Sequence, residues 1–385
     1  MTDKIVKIDR KSYVDRLTVA ALENFVGTHR SNWEFIGYES DEGPGHFERF
    51  TQRHEDYYPY HKETDLIGSS INALNEDVDL SQTDVLVIVG QGPWNNCLHK
   101  EVQLVKAIVA NDIARPKKIK FIEISEEFNT QARAGMEKLN KELGTDIEVE
   151  TYTGELEDVT RSDDWNCEDN TTVISTGSMI SNFDNDTHSD FPEANIKEIL
   201  LGFARAAGPN GNIILGYDGN MDEGTNRRAY SSVDLSHFFY NMLWEIHSNA
   251  HGLSIHYMDS DGNYKPITKE ELFDGKIVTY EKAWDKGLMH HQLEFHAPFE
   301  LHVDANNPRL AELVESLGFQ DKVNGGLSFD SGKRITAMTS RKLDDQKISR
   351  TAAKVGITAI KAHKDGGTGL CLQSLHSTPD IYRHG

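Results

Sequence analysis

Cysteine is scarce in this sequence, and the three cysteines, Cys97, Cys167 and Cys371, lie far apart along the chain. An odd and scattered set argues against a disulfide framework and against a zinc cluster, and it is typical of a reducing cytoplasm. Long apolar runs are missing too, because no stretch approaches the roughly 20 apolar residues that a membrane-spanning helix needs. The first residues carry charges with no apolar core behind them, so we expect no secretory signal. These absences predict a soluble, cytoplasmic protein that does not bind a membrane.

Basic residues are also few: 40 Lys and Arg stand against 62 Asp and Glu, and the formal charge of the 385-residue chain is -22. Such an acidic surface repels phosphate backbones, so we expect no nucleic-acid partner. Solubility explains most of this charge, and the negative potential also suits a cationic small molecule. The length allows two domains of ordinary size. We expect a monomer with a small-molecule substrate.

Segments typical of strands and helices alternate from Asp84 to Tyr217. Val85–Val89 is a continuous apolar run closed by a glycine, as in a strand buried on both faces. The alternation predicts an α/β fold with a parallel sheet covered by helices, and the segments after Tyr217 look antiparallel. The pattern resumes over Asp344–Val355 and Thr368–Gln373, so the antiparallel region is interpreted as an insertion. The other predicted elements are helices near Ser12–Phe25, Lys62–Asn75, Leu98–Asn111, Glu127–Leu143, Glu193–Ala207 and Val233–His247, and strands near Lys118–Ile124, Ile147–Thr151, Thr172–Thr176 and Asn212–Tyr217. The segments that look antiparallel are Leu253–Met258, Met289–Val303 and Leu327–Met338.

Short elements at three successive strand ends indicate a nucleoside cofactor. Gly90 and Gly92 follow the first strand, where glycine lets the backbone approach a ligand. Glu123 ends the second strand, and in nucleoside-binding α/β folds a carboxylate there accepts hydrogen bonds from ribose hydroxyls. Glu155 and Leu156 follow the third strand, where they are placed to contact an adenine. These positions do not separate S-adenosylmethionine (SAM) from NAD, although the turn lacks the third glycine of the dinucleotide fingerprint.

A polar, glycine-bearing segment, Ser175–Phe183, ends the fourth strand. Gly177 and Asn182 in this segment would lie where a substrate meets a cofactor bound at the sheet edge. An equally simple interpretation is that Asn182 or Asp184 caps the next helix.

Two further patterns suggest metals and are better explained otherwise. Asp259–Asn263 with Glu270 has the ligand spacing of a calcium loop, but Tyr264 stands where that loop needs glycine. A hairpin turn at Asp261–Gly262 followed by a capping box over Thr268–Glu271 explains the same residues. Four histidines lie close together in the sequence, but no carboxylate or cysteine stands at a spacing that would complete a metal site with them. They are better explained as surface or pocket side chains of a strand. We therefore expect no metal at those histidines, His290, His291, His296 and His302.

An ordered set of short segments, running from about Trp33 to Leu372, resembles a known family. The family is that of the SAM-dependent histidine-specific methyltransferases, typified by the ergothioneine-pathway enzyme that trimethylates the histidine α-amine. Its relatives include fungal enzymes that methylate tryptophan or prenylated tryptophan. Each segment is short, but the ordered set is specific. The segments are Tyr57–Glu63, Gly177–Phe183, Ile214–Asp218, Arg228–Tyr230 with Phe238 and Asn241, Thr336–Lys342 and Gly369–Leu372.

The resemblance implies a class I, Rossmann-like SAM-dependent methyltransferase domain over residues 63–220 and 341–376. It also implies an inserted α+β substrate-binding domain, formed by residues 1–62 and 221–340. The implied activity is methylation of the α-amine of a free amino acid, with SAM as the cofactor. The positions that match cofactor contacts or lie beside them are Gly90, Gly92, Glu123, Glu155, Leu156 and Gly177. The positions that match the substrate site are Tyr38, Phe47, Tyr57, Asn182, Tyr230, Leu293, Met338 and Ser340.

Two departures from the family pattern bear on function. The first glycine turn lacks the acidic residue usually found just before the glycines, which leaves open a non-catalytic protein that binds SAM or an amino acid. Met338 stands where the histidine enzymes have a Glu that, with the residue matching Ser340, reads the imidazole ring. Losing a buried hydrogen-bond partner costs about 1–3 kcal/mol, so we expect a less polar substrate side chain, tryptophan or a derivative first. Histidine read by another residue is the alternative, and so is a different amine.

Overall fold

The computed structural model describes residues 21–22, 24–25, 34–40, 42–110, 113, 116–181, 191–249, 252–303, 312, 315 and 326–378. The helix predicted near Ser12–Phe25 lies largely outside these residues, and so does Asn182. The α-helices are Glu34–Glu39, Gly43–Arg53, Tyr58–Val78, Trp94–His99, Glu101–Ala110, Glu126–Leu143, Leu156–Arg161, Glu193–Ala207, Glu223–Ala229, Val233–Asn249, Lys269–Phe273 and Asp345–Lys354. The strands are β1 (Val85–Val89), β2 (Lys118–Glu123), β3 (Glu148–Thr153), β4 (Thr171–Ser175), β5 (Asn212–Asp218), β6 (Leu253–Met258), β7 (Tyr264–Pro266), β8 (Val278–Asp285), β9 (Leu288–Phe295), β10 (Phe299–Val303), β11 (Leu327–Phe329), β12 (Arg334–Arg341), β13 (Ile357–Lys364) and β14 (Leu370–Ser377).

The central sheet has the strand order β13-β14-β5-β4-β1-β2-β3. Strands β1 to β5 run parallel, and β14 runs antiparallel to both of its neighbours. Every residue of β1 and of β4 is buried, as expected for strands covered by helices on both faces. This sheet confirms the predicted α/β class. Its parallel strands also bring their carboxyl ends, and the polar residues that follow them, to one edge.

Local sequence fixes the ends of the helices beside that edge. The helix Glu126–Leu143 begins after Ser125, whose hydroxyl accepts a hydrogen bond from the backbone N–H of Phe128, and it ends at Gly144 with a φ of +65°. An N-terminal hydroxyl cap and a left-handed glycine are the usual signals for the two ends of a helix. The predicted helix Leu98–Asn111 is instead two helices, because the backbone at Lys100 leaves the helical region.

Residues 253–341 contain a four-stranded sheet in the order β11-β10-β6-β7 and a three-stranded sheet in the order β12-β9-β8. The antiparallel character predicted for Leu253–Met258, Met289–Val303 and Leu327–Met338 is confirmed, but each of the last two segments contains parts of two strands. Met289–Val303 is not one strand, because the chain turns before Pro298 and continues in the other sheet as β10. Leu327–Met338 is likewise divided, since Gly332 has a φ of +83° at a turn between β11 and β12.

The hairpin predicted around Asp261–Gly262 is confirmed. Strands β6 and β7 pair antiparallel, Gly262 has a φ of +80°, and the Asp259 carboxylate accepts hydrogen bonds from the backbone N–H groups of Asp261 and Asn263. The capping box over Thr268–Glu271 is present in full. Within the described ranges, none of the helices combines the length and apolarity needed to cross a membrane.

Candidate active site

A cavity opens at the carboxyl ends of β1, β2 and β4 and is closed on its far side by β12 and by the helices Gly43–Arg53 and Val233–Asn249. Most of the site residues predicted from the sequence line this single cavity, although they come from distant parts of the chain. They are Tyr38, Phe47, Tyr57, Gly90, Gly92, Glu123, Leu156, Gly177, Tyr230, Met338 and Ser340.

Two predicted site residues, Glu155 and Leu293, do not line the cavity. A third, Asn182, lies outside the described residues. Glu155 precedes the helix Leu156–Arg161 and does not line the cavity, whereas Leu156, the first residue of that helix, does. Leu293 on β9 is fully buried in the hydrophobic core.

The glycine turn after β1 and the carboxylate after β2 are held together by backbone hydrogen bonds. The N–H of Gly92 donates to Glu123 Oε2 at 3.0 Å, and the N–H of Ile124 donates to Glu123 Oε1 at 2.8 Å. Gly90 has a φ of +68°, and a Cβ there would collide with the sulfur of Met179. Burial raises the pKa of Glu123, which the backbone N–H bonds oppose. The result is a fixed acceptor at the sheet edge, next to a turn without side chains.

The hydrogen bonds of Gln91, which lies between the two glycines, indicate whether SAM fits this half of the cavity. Its side-chain N–H donates to Asn129 Oδ1 at 3.2 Å, while its carbonyl oxygen is buried and has no hydrogen-bond partner among the described residues. A buried acceptor without a partner costs roughly 1–3 kcal/mol, so a ligand donor there would be favoured. SAM carries hydroxyl, amino and ammonium donors, and it therefore fits the acceptors of Gln91 and Glu123.

A buried group of charges beside Gly177 was missed by sequence reasoning. Both carboxylate oxygens of Glu63 accept from the N–H of Gly177, at 2.9 and 2.8 Å, and the Lys100 ammonium lies 3.4 Å from Glu63 and 4.0 Å from Glu101. Burial opposes the charge of Lys100, but the two carboxylates raise its pKa above the ordinary value. Of these three charged side chains only Lys100 lines the cavity, and burial raises the pKa of Glu63. Glu63 lies in a segment that carries the family resemblance, so it was within reach of the sequence, whereas Lys100 had no signal.

A second buried network supports Tyr230 on the opposite side of the cavity. The Lys342 ammonium lies 2.6 Å from Asp218 Oδ2, and each side chain is 1% exposed. The same ammonium is 3.4 Å from the hydroxyl oxygen of Tyr230. The Tyr58 hydroxyl also donates to Asp218, at 2.5 Å. Because Lys342 donates to Tyr230, the proton of the Tyr230 hydroxyl is left for an acceptor in the cavity.

Tyr57 lies next to Tyr230, with 5.8 Å between the ring centroids. Burial and the neighbouring tyrosine raise the pKa of Tyr57 well above its ordinary value, so its hydroxyl stays protonated. No hydrogen-bond partner of that hydroxyl is found among the described residues. Two tyrosine hydroxyls and one ammonium thus converge on one part of the cavity, an arrangement suited to a carboxylate.

Aromatic rings form the rest of the wall. Tyr38 packs edge-on against Phe47 at 5.0 Å and lies 5.4 Å from Phe238, while Phe47 and Phe238 are 5.6 Å apart. Leu235 and Met338 complete this apolar surface. The shape and chemistry suit a flat, largely apolar group.

His291 lies behind this wall, although the sequence predicted a surface or pocket side chain. It is fully buried, and its Nε2 is 3.1 Å from the Ser340 hydroxyl. Burial holds the pKa of His291 well below its ordinary value, so the ring is neutral. Met289 and Leu293 are buried on the same face of β9, and this period of two is the signal by which the sequence could have placed His291 inside.

The sequence of the chain matches a known protein family. Residues 36–376 match the profile of a family described as "Histidine-specific methyltransferase, SAM-dependent". No curated protein matches the chain by sequence.

Solved methyltransferase structures resemble the chain at low sequence identity. A SAM-bound amino pentose methyltransferase from Micromonospora echinaspora is 10% identical, with 83% of this chain and 92% of that chain covered and a TM-score of 0.36. The sugar N-methyltransferase from a Streptoalloteichus species is 11% identical, with 86% and 91% covered and a TM-score of 0.37. The magnesium protoporphyrin IX methyltransferase of Synechocystis is 11% identical, with 89% and 97% covered and a TM-score of 0.41.

Proposed function

The chain belongs to the SAM-dependent, histidine-specific methyltransferase family, and we propose that it methylates the α-amine of a free amino acid. Its central sheet is that of a class I SAM-dependent methyltransferase, and SAM is its cofactor. The observation that carries the proposal is the meeting of two tyrosine hydroxyls and a buried lysine in the same cavity as the glycine turn and Glu123. The division into two domains, the monomeric state and the lack of a nucleic-acid partner stay predictions.

The cofactor half of the cavity would hold SAM by groups that the main chain fixes. Glu123 would accept from the ribose hydroxyls, and Gly90 and Gly92 would leave room for the cofactor close to the backbone. When bound, SAM supplies an electrophilic methyl group, and transfer to an amine forms one C–N bond and breaks one C–S bond.

The substrate half would grip the backbone atoms of the amino acid. Tyr57 and Tyr230 would donate hydrogen bonds to the α-carboxylate, with the charge of Lys342 behind Tyr230. The amine must lose its proton, to water or to a site tyrosine, before its lone pair can react. Holding that lone pair in line with the methyl group is then the main contribution of the protein, because positioning alone removes much of the barrier to reaction.

The side chain of the amino acid would lie against the aromatic wall and Met338. A thioether cannot accept a strong hydrogen bond from a ring N–H, and Phe47, Phe238 and Leu235 offer only apolar contact. These neighbours favour a flat, less polar side chain. Tryptophan or a ring-substituted derivative is the first candidate.

Histidine is the second candidate substrate, and one observation favours it. Ser340 keeps a hydroxyl at the cavity wall, where it can bond a ring nitrogen. A site that bonds a polar ring discriminates strongly against rings that leave its hydroxyl without a partner.

Incubation of the purified protein with SAM and each free amino acid, followed by mass spectrometry, tests the proposal. We expect a product heavier than an aromatic amino acid by the mass of one or more CH2 units, because each transfer replaces an N–H hydrogen by a methyl group. Tyr230→Phe should lower kcat/KM by about tenfold, because the carboxylate loses a donor, while Tyr240→Phe changes it by less than about threefold. Tyr240 is the matched control, since its hydroxyl bonds the N–H of Tyr280 outside the cavity. Turnover of no amino acid, or equal effects of the two variants, would contradict the proposal.

A further inference from the structure

His291, Ser340 and Met338 form a small group on the sheet face that borders the cavity. Strands β9 and β12 pair with His291 directly opposite Met338, and Ser340 lies two residues along β12 on the same face. Met338 and Ser340 line the cavity, whereas His291 is fully buried behind them. The imidazole is therefore placed to control what the Ser340 hydroxyl offers to a ligand.

Each nitrogen of the His291 ring has a hydroxyl partner. Nδ1 lies 2.6 Å from the Tyr280 hydroxyl, and Nε2 lies 3.1 Å from the Ser340 hydroxyl. The ring is stacked on Phe239, with 5.3 Å between centroids and 19° between planes, so it is held in one orientation. A neutral imidazole has one donor and one acceptor nitrogen, so only two arrangements of these bonds are possible.

The two arrangements differ in cost. If Nδ1 carries the proton, it donates to Tyr280, and the Tyr280 hydroxyl then has no acceptor among the described residues. A buried donor without an acceptor costs about 1–3 kcal/mol. If Nε2 carries the proton, Tyr280 donates to Nδ1 and Nε2–H donates to Ser340, so every group of the chain is bonded. A phenol hydroxyl is also a better donor than acceptor, which favours the second arrangement.

The second arrangement leaves the hydroxyl proton of Ser340 without an acceptor in the protein. Its oxygen receives the His291 N–H, and no other polar side chain of the described residues bonds it. Because Ser340 lines the cavity, that O–H points to the ligand. A ligand atom beside this hydroxyl is then favoured if it carries a lone pair that can accept the hydrogen bond.

We propose that His291 is a specificity-determining residue that fixes Ser340 as a hydrogen-bond donor, so that the preferred substrate is an amino acid whose aromatic ring carries an acceptor atom beside Ser340. This inference rests on the proposed amino acid methylation and narrows its substrate class. A ring nitrogen with a lone pair, as in histidine, or an oxygen substituent on an indole meets the requirement. The indole ring of unsubstituted tryptophan offers only an N–H donor. Met338 is a poor acceptor for it, and the Ser340 hydroxyl is oriented to donate and not to accept.

Two matched substrates test this directly: tryptophan and 7-azatryptophan, which differ by one ring acceptor. In the wild-type protein we expect kcat/KM for the aza compound to exceed that for tryptophan by about tenfold. Ser340→Ala should bring the ratio to within about twofold of one, and His291→Phe should lower it to about threefold or less because Ser340 loses its fixed orientation. His290→Phe, a change on the opposite face of the same strand, should leave the ratio as it is. A wild-type ratio of one or below, or a ratio that survives Ser340→Ala, would overturn the inference.

A second readout does not depend on turnover. Ring-nitrogen NMR spectra of the ¹⁵N-histidine-labelled protein, with His291→Phe used to assign the signals, report which nitrogen of His291 carries the proton. Protonated Nε2 supports the inference, and protonated Nδ1 overturns it. If no amino acid is methylated, the proposed function fails, while the NMR result and calorimetric binding of the two tryptophan compounds still decide the role of His291.

Discussion

The two halves of the cavity are built in different ways. In the half proposed to bind SAM, the cofactor half, main-chain groups hold the proposed ligand acceptor: both oxygens of Glu123 accept backbone N–H bonds, and Gly90 and Gly92 present no side chains. In the substrate half, side chains hold other side chains: Lys342 on Asp218 supports Tyr230, and His291 on Tyr280 supports Ser340. The first half depends on strand order, and the second depends on individual residues.

The difference predicts that substitutions in the two halves have separable effects. The cofactor half depends on main-chain geometry at the ends of β1 and β2, whereas a change at Met338 alters the ring pocket and leaves those strand ends as they are. Function resides in such sites and not in the fold that carries them. Variants in each half separate the two by experiment.

The largest expected effect concerns the buried pair in the substrate half. Lys342→Met should lower the free energy of unfolding by about 3–5 kcal/mol, because Asp218 is left buried without its cation. Denaturant titration measures the change. Lys364→Met is the matched control, since its pair with Asp345 spans 2.7 Å but is partly exposed, and it should cost less than about 1 kcal/mol. Similar losses in the two variants would show that burial does not set the strength of the Lys342 pair.

The second effect concerns the cofactor half alone. Glu123→Gln should weaken SAM binding by about tenfold to a hundredfold, because the amide loses the charge and turns an N–H toward the backbone donors of Gly92 or Ile124. Calorimetry measures the dissociation constant. Glu127→Gln, at an exposed residue near the start of the next helix, should leave it within about twofold. Unchanged SAM binding in the Glu123 variant would remove that carboxylate from the cofactor site.

The third effect is confined to substrate choice. Met338→Glu supplies an acceptor for a ring N–H, and an imidazole can then bond the new carboxylate through its N–H and Ser340 through its lone pair. The change should raise kcat/KM for histidine relative to tryptophan by about tenfold, with SAM affinity unchanged. Met338→Leu keeps the site apolar and should leave the ratio as in the wild type. A ratio that rises equally in both variants, or SAM binding that changes with them, would contradict the separation of the two halves.

The smallest effect is a pH dependence of stability from His291. Burial lowers the pKa of this histidine in the folded protein, so its contribution to stability is present above the unfolded pKa of about 6.5 and is lost as pH falls below it. Between pH 7.5 and 6.0 the wild type should lose about 0.8 kcal/mol more than His291→Phe does. Denaturant titrations at the two pH values measure this difference. A difference of zero would mean that His291 takes up a proton in the folded protein.

The sequence predicted the cofactor half better than the substrate half, for a physical reason. Strand β1, the glycine turn and Glu123 follow each other through local patterns, and the order of parallel strands brings them together. The ring pocket depends on contacts between residues far apart in the sequence, such as Lys342 with Asp218 and His291 with Ser340. No local sequence pattern indicates these contacts. The edge strand β13 was missed as well, because Ile357 is the single buried residue of Ile357–Lys364 and no buried apolar run marks the strand.

Methylation with SAM that carries a deuterated methyl group, followed by tandem mass spectrometry of the product, tests the central claim most directly. We expect the label on the α-nitrogen of an amino acid with an aromatic side chain. Label on a side-chain nitrogen or on the carboxylate would contradict this claim, and so would the absence of any labelled amino acid from a mixture of the standard amino acids and ring-substituted tryptophans.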